Sequence, residues 1–193
     1  MISYDELIIK RAGDTSALSN FYCGIKAMDN FIHDKSKGLE TYVKGHLTNL
    51  WIVFKEITPI AFFSLSKSNV VINTFDKNQL LKNDTFLPEY LLEVKTYYPS
   101  VEIDYLGVKE DYRHQGIGEF LMAAITKKVM EDNLSATLFI SLDAYHTTNY
   151  STVNFYKKCG FFVNDYGLLQ NLNKERDGEI PQTIRMNKPL LYT

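Results

Sequence analysis

The chain has 193 residues, of which 45% are hydrophobic and 23% are charged, proportions typical of a folded globular protein rather than a disordered one. Its formal net charge of −2 provides no general basic surface for nucleic acid or membranes. Two cysteines are too few for a disulfide framework or a cysteine-rich zinc site, and no apolar run is long enough to span a membrane. We therefore expect one cytoplasmic domain spanning residues 1–193.

The first half of the chain predicts a strand, two helices and a pair of strands. In chain order these are a strand at 7–11, helices through 28–32 and 39–45, and strands at 49–55 and 60–66. Thr58-Pro59 is the predicted turn between the paired strands. Residues 73–100 are less regular, with candidate short helices at 76–81 and 90–92, and they form either a substrate-contacting segment or a plain surface excursion.

The second half predicts strands and helices in alternation. In chain order these are a strand at 101–108, a helix from Ile117 to Val129, a strand at 137–142, a helix from 147–149 to Lys158, and strands at 161–163 and 183–186. Gly160 is expected to end the second of these helices. The order of elements predicts an α/β fold of the α+β type, in which a mixed sheet carries helices on its faces.

A glycine-containing turn, Arg113-x-x-Gly116-x-Gly118, connects the predicted strand at 101–108 to the following helix. Glycines in such a turn allow positive φ angles and close approach of a ligand to the backbone. The N–H groups of the first helical turn and the positive end of the helix dipole then favour an anion such as phosphate. The turn lacks the dinucleotide fingerprint and the nucleotide P-loop pattern. A turn that binds nothing is the alternative.

A second motif, Asn149-x-x-Thr152-x-x-Phe155-Tyr156, precedes Gly160-Phe161 on the predicted helix. Because Asn149 and Tyr156 are seven residues apart, a helix places both on one face. A tyrosine keeps its proton at neutral pH and can give it to a departing thiolate, and the Asn149 amide can bond an amide-bearing chain. The alternatives are a core aromatic at Tyr156 and a helix cap at Asn149.

Together the two motifs resemble the signatures of the GCN5-related N-acetyltransferase (GNAT) superfamily, with Thr152 where alanine is usual. The similarity runs from about Val101 to Phe162. It implies the GNAT fold, in which a central mixed, mostly antiparallel sheet is flanked by helices on both faces, and acetyl-CoA as the acyl donor, with no metal. The residues that it implies for acetyl-CoA binding are Leu106, Gly107, Val108, Arg113, His114, Gln115, Gly116, Ile117, Gly118, Glu119, Asn149 and Tyr156.

The resemblance implies different roles within this set. The backbone at 106–108 would contact the pantetheine chain and the acetyl carbonyl, and the N–H groups at 114–119 would hold the pyrophosphate. Arg113 would pair with a phosphate or brace the loop. Tyr156 would be the general acid.

A general base is expected on the predicted strand at 101–108. Glu102 occupies the place where histone-acetylating relatives keep a catalytic glutamate, and the strand period of two puts Asp104 on the same face. Burial and mutual repulsion would raise the pKa of both carboxyl groups. The alternatives are a solvated carboxylate pair and a chain of water molecules as base, with His146 as a further candidate.

The resemblance implies an N-acetyltransferase that moves an acetyl group to a primary amine of a small molecule or protein, by direct attack in a ternary complex. Residues 21–32 are similar to a segment of GNAT toxins that acetylate aminoacyl-tRNA, with Asp29 in the matching place. Because 21 Lys and Arg face 23 Asp and Glu, tRNA is the less expected acceptor. A non-catalytic acyl-CoA-binding module is the other alternative. The expected assembly is a monomer or a homodimer.

Overall fold

The computed structural model describes residues 4–82, 97–132, 136–147, 150–165 and 182–190. The strands are β1 (Leu7–Ala12), β2 (Asn49–Lys55), β3 (Thr58–Val71), β4 (Tyr97–Val108), β5 (Phe139–His146), β6 (Phe162–Val163) and β7 (Gln182–Pro189). The α-helices are α1 (Lys26–His33), α2 (Leu39–Lys44), α3 (Thr74–Lys82), α4 (Ile117–Glu131) and α5 (Val153–Lys158). None of the described helices is long and apolar enough to cross a membrane.

The strands form a seven-stranded sheet in the order β1-β2-β3-β4-β5-β7-β6. Strand β2 pairs antiparallel with both β1 and β3, and β7 pairs antiparallel with both β5 and β6. Strands and helices alternate in the second half of the chain, as the sequence pattern predicts. The mixed α/β fold expected from the sequence is therefore confirmed.

The chain divides into two compact units, each with its own core. The first unit comprises Met1–Ser66 and Ile103–Ala124, and the second comprises Lys67–Glu102 and Ile125–Thr193. Fully buried Phe21, Leu50 and Phe62 lie in the core of the first unit. Tyr98 and Phe139 pack edge to face in the core of the second, with ring centroids 5.9 Å apart. The single domain expected from the sequence stays a prediction.

The turn between β2 and β3 differs from the sequence prediction. Thr58 and Pro59 belong to β3, and the turn is made by Glu56 and Ile57, with Glu56 in the left-handed region at a φ of 56°. Pro59 cannot donate a ladder hydrogen bond, and it pairs with Phe54 where the register shifts between Val53 and Phe54. A bulge at that point accommodates a proline within a strand, which the local sequence does not reveal.

Helix α5 begins later than predicted, at Val153, with Thr152 at the N-cap position. Thr147 instead pairs with Tyr150: its N–H donates to the Tyr150 carbonyl at 2.8 Å, and its hydroxyl accepts from the Tyr150 N–H at 3.1 Å. Gly160 follows the helix with a φ of +88°, which confirms its predicted role. Asn149 and the candidate helix at 90–92 lie outside the described residues.

Candidate active site

The glycine turn has the backbone geometry of an anion site. A short 3-10 helix, Glu110–Tyr112, follows β4, and His114 and Gly116 then adopt left-handed φ angles of 58° and 81°. Helix α4 starts directly after this turn, at Ile117. The start of this 15-residue helix therefore lies directly after two residues with left-handed backbone.

The N–H groups of this turn precede the intrahelical hydrogen bonds of α4. The Phe120 N–H donates to the Gly116 carbonyl at 3.0 Å, and the N–H groups before Phe120 belong to the first turn, which has no partner one turn back. His114, Gln115 and Glu119 are exposed, so a ligand can reach this segment. The Gln115 side chain donates to the Asp111 carbonyl at 2.9 Å and braces the turn. Such a group of N–H donors suits a diphosphate.

Tyr4 covers part of the glycine turn. Its ring stacks on Phe120 of α4, with centroids 5.1 Å apart and planes 12° apart. A β-carbon added to Gly116 would lie only 2.1 Å from the Tyr4 hydroxyl oxygen. The positive φ at position 116 favours glycine, and a larger residue there would also displace the Tyr4 hydroxyl. The sequence gives no motif that marks Tyr4.

Gly107 has a packing role that its neighbours in the sequence do not indicate. A β-carbon at this position would lie 2.5 Å from Cε1 of Phe62, whose side chain is fully buried. The Lys109 N–H also donates to the Ile60 carbonyl at 2.8 Å, which fixes the end of β4. Gly107 thus lets β4 lie close against the core of the first unit. The contacts with acetyl-CoA that are expected from Leu106, Gly107 and Val108 stay a prediction.

The segment before α1 is held by Asp29. Its two carboxylate oxygens accept hydrogen bonds from the N–H groups of Cys23 and Gly24, at 2.7 and 3.1 Å. The carboxylate is turned inward to this loop, and Gly24 has a φ of +77°. Burial raises the pKa of Cys23 to about 11, while the nearby positive charge of Arg113 acts in the opposite direction. The Arg113 guanidinium therefore lies close enough to this segment to affect it electrostatically.

Glu102 forms an ion pair within the second unit. The Arg185 guanidinium donates to Oε1 at 2.5 Å and to Oε2 at 3.0 Å, and the Ser68 hydroxyl donates to Oε2 at 2.8 Å. Arg185 also donates to the Ser141 hydroxyl at 3.2 Å and lies 3.5 Å from a carboxylate oxygen of Asp143. Both partners of the pair are largely buried, with 23% of the Glu102 side chain and 19% of the Arg185 side chain exposed.

The electrostatics of Glu102 contradict the sequence expectation of a raised pKa. Burial does push its pKa upward, but the hydrogen bonds and charge of Arg185, with the Ser68 hydrogen bond, outweigh burial and lower the pKa. A carboxylate with a lowered pKa, and with both oxygens bonded to a guanidinium, is a poor proton acceptor. Arg185 was missed by the sequence analysis because it lies 83 residues away, on a different strand.

Asp104 accepts hydrogen bonds from two hydroxyl groups. The Thr48 hydroxyl donates to one of its carboxylate oxygens at 2.5 Å, and the Ser66 hydroxyl donates to the other at 2.8 Å. Hydroxyl donors stabilise the carboxylate less than a guanidinium does. The strand alternation that places Glu102 and Asp104 two residues apart therefore gives them different surroundings.

Tyr156 is buried on α5, with only 8% of its surface exposed. Its ring packs edge to face with Phe155 and Phe161, at centroid distances of 4.9 and 5.7 Å. Burial raises the pKa of the phenol well above its usual value, and the nearby Cys159 and Tyr150 act in the same direction. The phenol consequently keeps its proton at every physiological pH. His146, the further candidate, has Nδ1 2.8 Å from the Ser151 hydroxyl.

Comparisons with known proteins point to one family. The model of the acetyltransferase (GNAT) family matches residues 33–161, which is more than half of the chain. No curated protein matches the sequence.

Solved structures of toxins share the fold. A tyrosine-to-phenylalanine mutant of KacT is 16% identical and has a TM-score of 0.66, with 96% of this chain and 95% of that chain covered. AtaT complexed with acetyl-methionyl-tRNA is 19% identical and has a TM-score of 0.61, with 93% of each chain covered. A tyrosine-to-phenylalanine mutant of AtaT, bound to the C-terminus of the antitoxin AtaR and acetyl-CoA, is 18% identical and has a TM-score of 0.62, with 96% and 94% covered.

Proposed function

Because the chain belongs to the acetyltransferase (GNAT) family and uses acetyl-CoA as its acyl donor, we propose that the glycine turn binds this donor and that Tyr156 protonates the leaving thiolate. The observation that carries the proposal is the backbone of the turn, where left-handed His114 and Gly116 lead directly into α4. This geometry supports binding of the diphosphate by the N–H groups of residues 114–119. The backbone of 106–108 then holds the pantetheine chain and the acetyl carbonyl.

The proposed reaction has one chemical step for the acyl transfer. The nitrogen of a primary amine attacks the thioester carbonyl carbon, and the negative charge that develops on the carbonyl oxygen is stabilised by the backbone N–H of Val108. The C–N bond forms, the C–S bond breaks, and the thiolate takes the proton of Tyr156. The phenolate is then reprotonated from water, and no covalent enzyme intermediate forms.

The raised pKa of Tyr156 has two consequences for this step. It ensures that the proton is present, and by itself it makes transfer to a thiolate less favourable, because an exposed thiol has a lower pKa than a phenol. A thiolate held in the same dry surroundings also has a raised pKa, which reduces the difference. Burial thus acts on donor and acceptor together.

The base that accepts the proton of the amine is Asp104 or a water molecule. Glu102 is set aside, since Arg185 lowers its pKa and occupies both of its carboxylate oxygens. Asp104 lies on the same strand, and its carboxylate accepts hydrogen bonds from the Thr48 and Ser66 hydroxyls. A water molecule between the amine and Asp104 is the simplest route for the proton.

The test is release of CoA thiol from acetyl-CoA with a panel of primary amines. We expect Tyr156→Phe to lower kcat by about 10²- to 10⁴-fold, with little change in the KM for acetyl-CoA, because the ring packing is retained. Tyr97→Phe is the matched control, since Tyr97 is 65% exposed and has no proposed role. Full turnover by Tyr156→Phe would remove the acid assignment.

A second candidate acceptor is the amino group of an aminoacyl-tRNA. The observation that favours it is the set of toxin structures that share the fold along nearly the whole chain, one of them with acetyl-methionyl-tRNA. It is tested by incubating the protein with acetyl-CoA and charged tRNA, and by following growth when the protein and its Tyr156→Phe variant are expressed. Growth arrest and acetylated aminoacyl-tRNA with the unaltered protein alone support this candidate. Absence of both excludes it.

A further inference from the structure

We propose that Tyr4 belongs to the acetyl-CoA site and that its hydroxyl donates a hydrogen bond to the diphosphate of the donor. Tyr4 lies in a short 3-10 helix, Tyr4–Glu6, that leads into β1, far in sequence from the glycine turn. The inference rests on the proposed function, since it requires that the turn at 113–118 holds the diphosphate.

The ring of Tyr4 is fixed on the helix that follows the turn. Its near-parallel stack on Phe120, at 5.1 Å and 12°, sets both the position and the plane of the ring. Tyr4 is nevertheless 43% exposed, so the residue is accessible from solvent. A stacked tyrosine of this kind holds its hydroxyl in one place at little cost in side-chain entropy.

The hydroxyl oxygen lies against the backbone of the turn itself. It is 2.1 Å from the place where a β-carbon of Gly116 would be, which puts it in contact with the α-carbon of that glycine. The N–H groups that precede Phe120 in α4 are the donors available to an anion in the same turn. A phenol that reaches this backbone adds a side-chain donor to a group of backbone donors.

A neutral donor fits the charges around the turn. The 3-10 helix before it carries Glu110 and Asp111, and the first turn of α4 carries Glu119. These carboxylates offset the charge of Arg113 in the turn, so a neutral hydrogen bond would strengthen the binding of a phosphate. The phenol donates one without adding a charge of either sign.

The decisive variant is Tyr4→Phe, which keeps the stack on Phe120 and removes only the hydroxyl. We expect the KM for acetyl-CoA, and the Kd of CoA measured by calorimetry, to rise about tenfold, with kcat unchanged. The KM for S-acetylpantetheine, which lacks the nucleotide, should not change. Acetyl-dephospho-CoA should show the same tenfold rise as acetyl-CoA, because it retains the diphosphate. Tyr97→Phe is the control and should alter none of these values.

Several results would overturn the inference. The first is an unchanged or lowered KM for acetyl-CoA in Tyr4→Phe. The second is an equal rise in the KM for S-acetylpantetheine. The third is a normal KM for acetyl-dephospho-CoA, which would place the contact at the 3′-phosphate instead. Gly118→Asp separates this failure from failure of the proposed function. A loss of acetyl-CoA but not S-acetylpantetheine binding in Gly118→Asp, with no effect of Tyr4→Phe, rejects Tyr4 alone. Equal binding of both donors by Gly118→Asp rejects the turn as the phosphate site.

Discussion

The Arg185 guanidinium on β7 donates hydrogen bonds to both carboxylate oxygens of Glu102 on β4, at 2.5 and 3.0 Å. The residue that most resembles a catalytic glutamate by position is thus one half of an ion pair. Removing one partner of such a pair leaves the other charge poorly solvated, while the exposed fraction of both side chains moderates the cost. We therefore expect the pair to contribute to stability and Glu102 not to act as the base.

We expect Glu102→Gln to lower the free energy of unfolding by about 1–3 kcal/mol at pH 7, because Arg185 loses its charged partner. The acidic limb of the kcat/KM profile should not move. Chemical denaturation and a pH–rate profile measure the two effects. Asp104→Asn is the comparison: if Asp104 is the base, the acidic limb of the kcat/KM profile should shift in that variant. A shift of the limb in Glu102→Gln would restore Glu102 as the base.

The contribution of Glu102 should depend on pH. Its pKa is lowered in the folded protein from 4.5, so its stabilising effect is complete above that value and is lost as the pH falls through the folded pKa. The difference in unfolding free energy between the unaltered protein and Glu102→Gln should be constant from pH 6 to about 5 and shrink below about pH 4. Denaturation curves at several pH values check this. A difference that persists at the acid end contradicts the ion-pair account.

At alkaline pH, kcat should not decrease because of ionisation of Tyr156. Because burial raises the pKa of Tyr156 far above its normal value, the phenol stays protonated throughout the range in which the fold is stable. We expect kcat not to fall between pH 7 and about pH 10 through loss of this proton. A stopped-time assay of CoA release across that range measures it. A decline near pH 10 that is absent in Tyr156→Phe would show that the phenol titrates normally.

Gly107→Ala should destabilise the first unit. The added methyl group would meet Cε1 of Phe62 at 2.5 Å, and the fully buried ring has little room to move. The expected loss is about 1–3 kcal/mol, the usual range for an overpacked core. Thermal denaturation measures it, with Gly13→Ala as the control, because no atom lies within 4 Å of the β-carbon position at Gly13. Equal melting temperatures of the two variants would contradict the packing role.

Asp29→Ala should loosen the segment before α1. Its carboxylate accepts the N–H groups of Cys23 and Gly24, and both donors lose a charged acceptor in the variant. We expect a loss of about 1–3 kcal/mol in the free energy of unfolding. Denaturation with urea measures the loss. Asp14→Ala is the comparison, because Asp14 is fully exposed and accepts hydrogen bonds from the exposed Ser16 two residues away.

The sequence predicted the elements whose patterns are local and strong. Helix α4 has its apolar residues on one helical face, and Gly116 in the turn before it has a positive φ, as the composition indicates. Gly118 instead belongs to α4, and the positive φ of His114 was not indicated by the composition. Gly160 ends α5 for the same reason. Such features are set by neighbours a few residues apart, which is the distance over which a sequence pattern is informative.

The features that were missed depend on contacts between distant parts of the chain. Glu102 meets Arg185 only because β7 folds back beside β5, and no spacing in the sequence indicates that pairing. Tyr4 reaches Gly116 across more than one hundred residues. The proline in β3 is tolerated because of a bulge, which is a property of the paired strand as much as of its own sequence.

The buried thiol of Cys23 can be used to measure local opening of the protein. The thiolate form of a cysteine attacks a disulfide reagent and displaces one of its sulfurs as a thiolate, and the Cys23 thiol is 2% exposed with a pKa of about 11. Labelling at neutral pH must therefore wait for the surrounding loop to open, so its rate counts opening events. Slower labelling of Cys23 in the presence of acetyl-CoA would show that binding of the acyl donor makes opening of this loop less frequent.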